Sequence, residues 1–166
     1  MKGIVLILLH LVSFSCFAQS NNSEENTIAT IRKEFTAINN PAKKYKVVEA
    51  EVEGLSTEGG SIKKYYDSTV LRKAILTLYG ETGTMVMEYY FTKDKLIFVY
   101  EKNTAYDKPI YQGKVKVVST IESRFYFEDQ KLIRWIEDKK TKEKALYAQR
   151  EKEILSDLAG DLKLIQ

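Results

Sequence analysis

The stretch that decides the fold is Glu88–Ile97, which reads EYYFTKDKLI, and Arg124–Ile133, RFYFEDQKLI, repeats it. Each copy carries neighbouring aromatic residues, then a short polar turn, then a Leu that opens the return strand. Tyr65-Tyr66 followed by Leu71 forms a weaker third copy. Aromatic pairs across strands stabilise a pleated surface by ~0.2–1 kcal/mol each. The repeat therefore predicts successive hairpins in a twisted antiparallel sheet, with one face that needs cover.

Outward from the repeat, alternating apolar and polar residues extend the predicted sheet. From Tyr45 onward, Val48, Ala50 and Val52 alternate with glutamates, which is typical of a half-buried strand. The glycines of Gly80-Glu81-Thr82-Gly83 indicate a turn, and Asn103–Gly113 is the longest predicted loop. We expect about seven strands, the others being Ser61–Tyr66, Val70–Tyr79, Thr84–Phe91, Leu96–Glu101, Lys114–Phe127 with a bend near Ser119, and Leu132–Glu137.

A helix is predicted on each side of the meander. The first begins after an N-cap at Asn26, ends at Asn39-Asn40-Pro41, and has apolar residues at helical spacing: Ile28, Ile31, Phe35 and Ile38. The second begins near Lys142 and includes Tyr147, Ile154, Leu155, Leu158, Leu162 and Ile165. We expect one α+β domain over residues 26–166 whose two helices cover the exposed sheet face. A partly closed barrel is the alternative to an open sheet.

The N-terminus has the pattern of a secretory signal peptide over residues 1–18. Lys2 precedes the apolar run Ile4–Val12, and small residues lead to a predicted cleavage at Ala18–Gln19. The run is too short to span a membrane, so we expect a protein of the periplasm or one that is secreted. The alternative is a lipoprotein acylated at Cys16, although Ser13 replaces the Leu usual before such a site. Residues 19–25 are polar and are expected to form a disordered leader.

Cleavage would remove the only His and the only Cys and leave 148 of the 166 residues. A chain without them has no Ser-His-Asp triad, no Cys nucleophile and no Cys/His zinc site. The P-loop and GxGxxG patterns do not occur either. We therefore predict a non-enzymatic protein with no cofactor and no metal, and paired carboxylates remain the catalytic alternative. Loss of Lys2 would lower the net charge from +3 to +2, too balanced to favour nucleic acid or an anionic membrane.

The aromatic and turn residues between Gly59 and Trp135, about half the chain, resemble small exported proteins of Bacteroidetes that have an aromatic-rich antiparallel β-meander. The matching residues are Gly59-Gly60, Tyr65-Tyr66, Leu71, Tyr79-Gly80-Glu81, Gly83, Glu88-Tyr89-Tyr90-Phe91, Leu96, Phe98-Val99-Tyr100, Phe125-Tyr126-Phe127 and Leu132. The Ala18-Gln19 junction fits that group as well. The resemblance implies a compartment and an architecture, and it supplies no catalytic residues.

Tyr106 and Tyr111 are the first candidates for a binding site. They flank Asp107-Lys108-Pro109 in the predicted loop, where an aromatic ring has less reason to pack and more reason to bind. Tyr100, at the end of an aromatic run, is a further candidate. Glu81 is a candidate as a ligand-facing carboxylate, with turn filler as the alternative.

Arg124 and Trp135 complete the candidate set. Arg124 and Glu88 occupy equivalent positions in the two repeat copies, so we expect them to meet as a salt bridge worth ~0–1 kcal/mol. Trp135 takes the place of Val99 in the other copy, which favours core packing, with a binding hot spot as the alternative.

Two classes of function fit these observations, and a third depends on cavity shape. The first is an exported binding module for an envelope or extracellular protein, such as an inhibitor or an immunity-like protein. The second is a carboxylate-dependent protein active on envelope glycans, which needs two acids ~5–9.5 Å apart in a cleft. The third is a carrier of small hydrophobic molecules, which needs an apolar cavity between sheet and helices.

Overall fold

The computed structural model describes the backbone of residues 15–163 and the side chains from residue 22 onward. These residues form an eight-stranded antiparallel sheet in which each strand pairs with its neighbours in sequence, and a helix lies at each end of the chain. The predicted α+β meander is confirmed; the sheet is open rather than a barrel and has a short eighth strand. The elements are α1 (Ser15–Ile38), β1 (Lys46–Val52), β2 (Gly60–Asp67), β3 (Val70–Gly80), β4 (Gly83–Thr92), β5 (Lys95–Tyr106), β6 (Val117–Glu128), β7 (Lys131–Glu137), β8 (Lys140–Thr141) and α2 (Tyr147–Asp161), with 3-10 turns at Ile110–Gln112 and Lys144–Leu146.

The sequence repeat is a structural repeat. In the hairpins β2–β3, β4–β5 and β6–β7, the register shifts by one residue next to the same aromatic–Leu pair: Tyr66 with Leu71, Phe91 with Leu96, and Phe127 with Leu132. The turns of the last two hairpins each hold two consecutive residues with positive φ, at Lys93-Asp94 and Asp129-Gln130. Such pairs are the signature of the tight hairpin turns whose twist matches that of the strands. Each bulge adds local twist, so the sheet curves in the same way three times.

Neighbouring aromatic residues of the repeat face opposite sides of the sheet, and each side is covered by a different helix. Tyr89 packs in the cluster that contains Ile154 of α2, whereas Tyr90 packs in the cluster that contains Ile28 of α1. The prediction that both helices cover one face is therefore wrong. Because both members of each aromatic pair are apolar, both faces need cover, and the chain supplies one helix for each.

Helix α1 is longer than the sequence indicates. It begins at Ser15, so residues 19–25, predicted as a disordered leader, are helical, and Asn26 lies inside the helix rather than at its N-cap. Glu24 accepts hydrogen bonds from Arg134 Nε (3.0 Å) and Lys144 Nζ (3.2 Å). Burial alone would raise the pKa of Glu24, but these two cations outweigh burial and hold it below its usual value. These contacts hold the part of α1 around Glu24 against β7 and the 3-10 turn at Lys144–Leu146.

Two further predictions concern the ends of the chain. Residues 1–14 of the predicted signal peptide, and Ile165 of the predicted last helix, lie outside the described residues. Helix α2 begins at Tyr147 rather than near Lys142, because the 3-10 turn Lys144–Leu146 precedes it. Within residues 15–163, no helix is long and apolar enough to cross a membrane.

Candidate functional site

The β3–β4 turn (Gly80–Gly83) and the β5–β6 connection (residues 107–116) meet at one end of the sheet, which we call the distal end. A backbone hydrogen bond joins them, in which Ile110 N donates to Glu81 O at 2.8 Å. Tyr106 N, at the end of β5, also donates to Thr82 O of the turn at 2.8 Å. The predicted turn is confirmed, and it requires Gly83, because a Cβ there would lie 2.5 Å from Thr104 O. The distal end thus brings together the predicted site residues Glu81, Tyr106 and Tyr111.

Tyr106 and Tyr111 differ in their surroundings. Tyr106 is not a loop residue: it is the last residue of β5, half-buried, with its hydroxyl 2.9 Å from Thr84 Oγ1. Strand β5 runs past its predicted end at Glu101 because β4 pairs with it as far as Ala105 and β6 as far as Tyr106. Tyr111 lies in the 3-10 turn and is 71% exposed. Of the two predicted binding aromatics, Tyr111 is therefore the one whose side chain is exposed.

One edge of the sheet is open at the distal end. Strand β7 pairs with β6 only from Ser123 onward, so Val117–Ile121 has no strand on its outer side within residues 15–163. The last contact on that side is Asp138, whose N donates to Glu122 O (2.9 Å) and whose Oδ1 accepts from Glu122 N (3.0 Å). Backbone groups of an antiparallel strand alternate in direction, so the N–H and C=O of Thr120 point outward like those of Glu122. We call Val117–Ile121 the open edge.

The side chains of the open edge are uncharged and exposed. Val117 and Val118 are each 61% exposed and Ile121 is 44% exposed. Ile121 also lines a shallow groove of about 700 Å³ on the α2 side of the distal end, together with Leu78, Met85, Asn103, Ala105 and Ser119. The predicted bend near Ser119 is present as a register shift beside Val118. The open edge and its groove form a continuous surface.

The opposite edge of the sheet is protected and the open edge is not. Natural proteins shield edge strands with charged residues, because unpaired backbone groups attract other chains. Strand β1 follows this rule with Lys46, Glu49 and Glu51. The open edge carries no charge over five residues, and Lys114 and Lys116 directly precede it. The open edge therefore lacks the charged residues that β1 carries.

Tyr100 and Arg124 lie at a second place, on the α1 side of the sheet. Glu88, Tyr100 and Arg124 are successive partners across β4, β5 and β6. The predicted salt bridge between Glu88 and Arg124 is therefore wrong: Tyr100 separates them, and the Arg124 guanidinium lies 5.5 Å from the centroid of its ring. Arg124 instead pairs with Glu122 at 2.7 Å. Burial raises the pKa of the Tyr100 hydroxyl, and Glu122 beside it raises it further.

Tyr100 and Arg124 line a pocket of about 480 Å³ between α1 and strands β4–β6, which we call the α1 pocket. Its walls come from α1 and its floor from the sheet: Ile31, Arg32, Phe35, Glu88, Phe98, Tyr100, Glu122, Arg124 and Tyr126. The sequence pattern indicated the aromatic floor but not the wall, because both helices were expected to share one face of the sheet. The pocket contains aromatic rings together with both cations and carboxylates.

Trp135 belongs to neither place. Its ring lies 5.4 Å from that of Phe125 in the core under α2, and Lys142 Nζ lies 5.2 Å from its centroid. Its indole Nε1 is buried, and among the described residues it has no hydrogen-bond partner. The position matches the core-packing interpretation of the sequence rather than the hot-spot alternative.

The carboxylate nearest to catalytic character is Asp161, which the sequence reasoning missed. Asp161 is 6% exposed, and the Tyr89 hydroxyl donates to its Oδ2 at 2.7 Å. Burial raises the pKa of Asp161. The hydrogen bond from Tyr89 lowers that pKa in part, and the negative charge of Asp157 raises it further. The signal was present in the spacing, since Asp161 follows Ile154 and Leu158 on the buried side of α2. Within residues 15–163, no group of three His, Cys, Asp or Glu side chains is arranged to hold a metal.

None of the protein families, curated proteins or solved structures compared with this chain matches it. The resemblance to small exported proteins of Bacteroidetes stays a prediction from the sequence.

Proposed function

We propose that the protein is an exported, non-enzymatic binding module whose open edge takes up an extended segment of a partner protein as an added strand. The observation that carries this proposal is the unpaired, uncharged and exposed segment Val117–Ile121. In strand addition, main-chain hydrogen bonds provide affinity, and pockets for alternate side chains provide specificity. The outward N–H and C=O of Thr120 supply main-chain hydrogen bonds, and the groove beside Ile121 supplies a pocket for side chains of the added strand.

The flanking residues define the chemistry of the partner segment. Its centre is apolar and β-branched, because it lies against Val117, Val118 and Ile121. One flank is acidic, because Lys114 and Lys116 border the open edge. Tyrosine is enriched among the residues that dominate binding energy when a partner buries them, and the ring of Tyr111 is exposed and available for such burial. An envelope-associated or extracellular protein fits this description and the N-terminal export pattern.

The inventory of reactive groups supports binding rather than catalysis. Residues 19–166 contain no His and no Cys. The carboxylate with a raised pKa, Asp161, is buried in a hydrogen bond with Tyr89. A buried carboxyl held by a tyrosine hydroxyl serves packing and stability more readily than proton transfer to a substrate. The glycan-active alternative therefore has less support than the binding module.

The test is recovery of the tagged protein, after mild crosslinking, from the cells that produce it, with bound proteins identified by mass spectrometry. Four forms are compared. Val118→Lys places a charge on the open edge, and Thr120→Pro removes its outward N–H, which an edge position tolerates. Val47→Lys is the matched control, because Val47 is a 48% exposed valine on the opposite edge strand.

The proposal predicts a partner in stoichiometric amount with the wild type and with Val47→Lys. It predicts loss of that partner with Val118→Lys and with Thr120→Pro, at unchanged circular dichroism. Equal recovery with all four forms would contradict a role for the open edge. Recovery of no partner with the wild type would contradict the binding module itself.

A further inference from the structure

The α1 pocket has the walls of a site for a small organic molecule. Its aromatic residues contact one another, with ring centroids 5.0 Å apart for Phe98 and Tyr126 and 5.4 Å apart for Phe35 and Phe98. Phe35 is 36% exposed, although its neighbours on the same side of α1 are buried. Small-molecule sites are concave, mostly apolar and lined by a few placed polar groups. The pocket therefore offers an aromatic surface that the protein itself leaves partly uncovered.

Both carboxylates at the pocket already have cations. Glu88 pairs with Lys73 at 2.7 Å and also accepts a hydrogen bond from the Tyr90 hydroxyl. Glu122 pairs with Arg124 at 2.7 Å, and this contact holds the pKa of Glu122 below its usual value. Neither carboxylate is left to attract a cationic ligand.

Arg32 is the charge that remains. It is exposed at the mouth of the pocket, with its guanidinium 5.8 Å from the centroid of the Tyr126 ring. It makes no ion pair with the described side chains of residues 22–163. The pocket lining holds two cations, Arg32 and Arg124, and two carboxylates, Glu88 and Glu122. Because Lys73, outside the lining, pairs with Glu88 and Arg124 pairs with Glu122, Arg32 is left as the lining cation that no described carboxylate neutralises. A guanidinium presents paired donors that match the two oxygens of a carboxylate.

We propose that the α1 pocket binds a small amphiphilic monoanion: an aromatic or hydrocarbon body lies against Phe35, Phe98 and Tyr126, and one carboxylate pairs with Arg32. The volume of about 480 Å³ lies within the range of small-molecule sites. This site lies on the opposite face of the sheet from the groove of the open edge, so it does not depend on the protein partner proposed above.

The test is a titration of the purified, ¹⁵N-labelled protein with 2-naphthoate at low ionic strength, followed by NMR. Saturable shifts are expected at the amides of the pocket residues. Arg32→Gln is expected to weaken 2-naphthoate binding about two- to fivefold, the size of one exposed charge pair. The same variant leaves the affinity for uncharged 2-naphthalenemethanol unchanged. Lys33→Gln is the matched control, because Lys33 is the next exposed cation on α1.

Four results would overturn the inference: no saturable binding, shifts that map outside the pocket, equal affinity for the anion and the alcohol, or equal effects of Arg32→Gln and Lys33→Gln. The experiment also separates this site from the open edge. Val118→Lys, which is expected to abolish partner recovery, is expected to leave 2-naphthoate binding unchanged.

Discussion

The placement of the two helices on opposite faces of the sheet predicts that core substitutions in the two clusters act independently. Ile28 of α1 and Ile154 of α2 are both 0% exposed, and each belongs to a different cluster. Because the sheet lies between them, the two side chains pack in separate clusters and share no packing neighbours. Their effects on the free energy of unfolding should therefore add.

The magnitude decides which substitutions to use. Replacing a buried Ile by Ala costs ~2–5 kcal/mol, so Ile28→Ala with Ile154→Ala would cost ~4–10 kcal/mol. That sum is comparable with the whole stability of a domain, ~5–15 kcal/mol, and the double variant would be partly unfolded. Ile→Val costs ~0.5–1.5 kcal/mol at each site and keeps the double variant folded.

The assay is urea denaturation of the wild type, Ile28→Val, Ile154→Val and the double variant, with free energies from linear extrapolation. Independent sites are expected to add within ~0.5 kcal/mol. Lys152→Ala, an exposed substitution on α2, is the control and should change stability by less than ~0.5 kcal/mol. An interaction energy above ~1 kcal/mol would refute the two-face arrangement, because it would mean that the helices share one core.

Two further predictions concern buried charges. Asp161→Asn keeps an acceptor for the Tyr89 hydroxyl but cannot ionise. Because burial raises the pKa of Asp161 in the folded state, its contribution to stability should decline as pH rises from about 3.8 through that raised value, so the stability of the wild type relative to the variant should fall over this range in pH-dependent denaturation. An unchanged difference in stability over this range would contradict this assignment. Arg150→Met leaves Glu101, which is 9% exposed, without its ion-pair partner, and it should lower the free energy of unfolding by ~3–5 kcal/mol in urea denaturation. Adding Glu101→Gln should recover much of that loss. A loss below ~1 kcal/mol would show that the ion pair is effectively solvated.

Local signals were sufficient to predict most of the fold. The turn at Gly80–Gly83 and the repeat around Tyr90-Phe91 act over a few residues, so the strands they separate are visible in the sequence. The hairpins form where polar turn residues follow aromatic pairs, and the structure repeats the same bulge at each. Predictions of this kind depend on spacing alone.

Contacts between distant parts of the chain were not predictable in the same way. The ordered start of α1 depends on Glu24 meeting Arg134, 110 residues later in sequence. Nothing in the polar composition of residues 19–25 indicates that partner. The choice of face for each helix was not predicted either: adjacent Tyr89 and Tyr90 face opposite sides of the sheet, but their spacing does not say which helix covers which side.

The candidate sites divide along the same line. The open edge follows from unequal strand lengths, because the strand predicted over Lys114–Phe127 is longer than its partner, predicted over Leu132–Glu137. This difference in length is visible in the sequence. The α1 pocket depends on Arg32 and Phe35 lying over Tyr126, which requires the correct face for α1. A site made by secondary-structure lengths was therefore predictable, whereas a site made by helix placement was not.

Hydrogen exchange at the backbone amide of Thr120, measured in the free protein and in the recovered complex, tests the role of the open edge most directly. The outward N–H of Thr120 should exchange rapidly in the free protein and become protected when an added strand accepts its hydrogen bond. The backbone amide of Val47, on the edge strand β1 that carries charged residues, should exchange at the same rate in the free protein and in the complex. Unchanged exchange at Thr120 in a complex that protects other amides would contradict strand addition at the open edge.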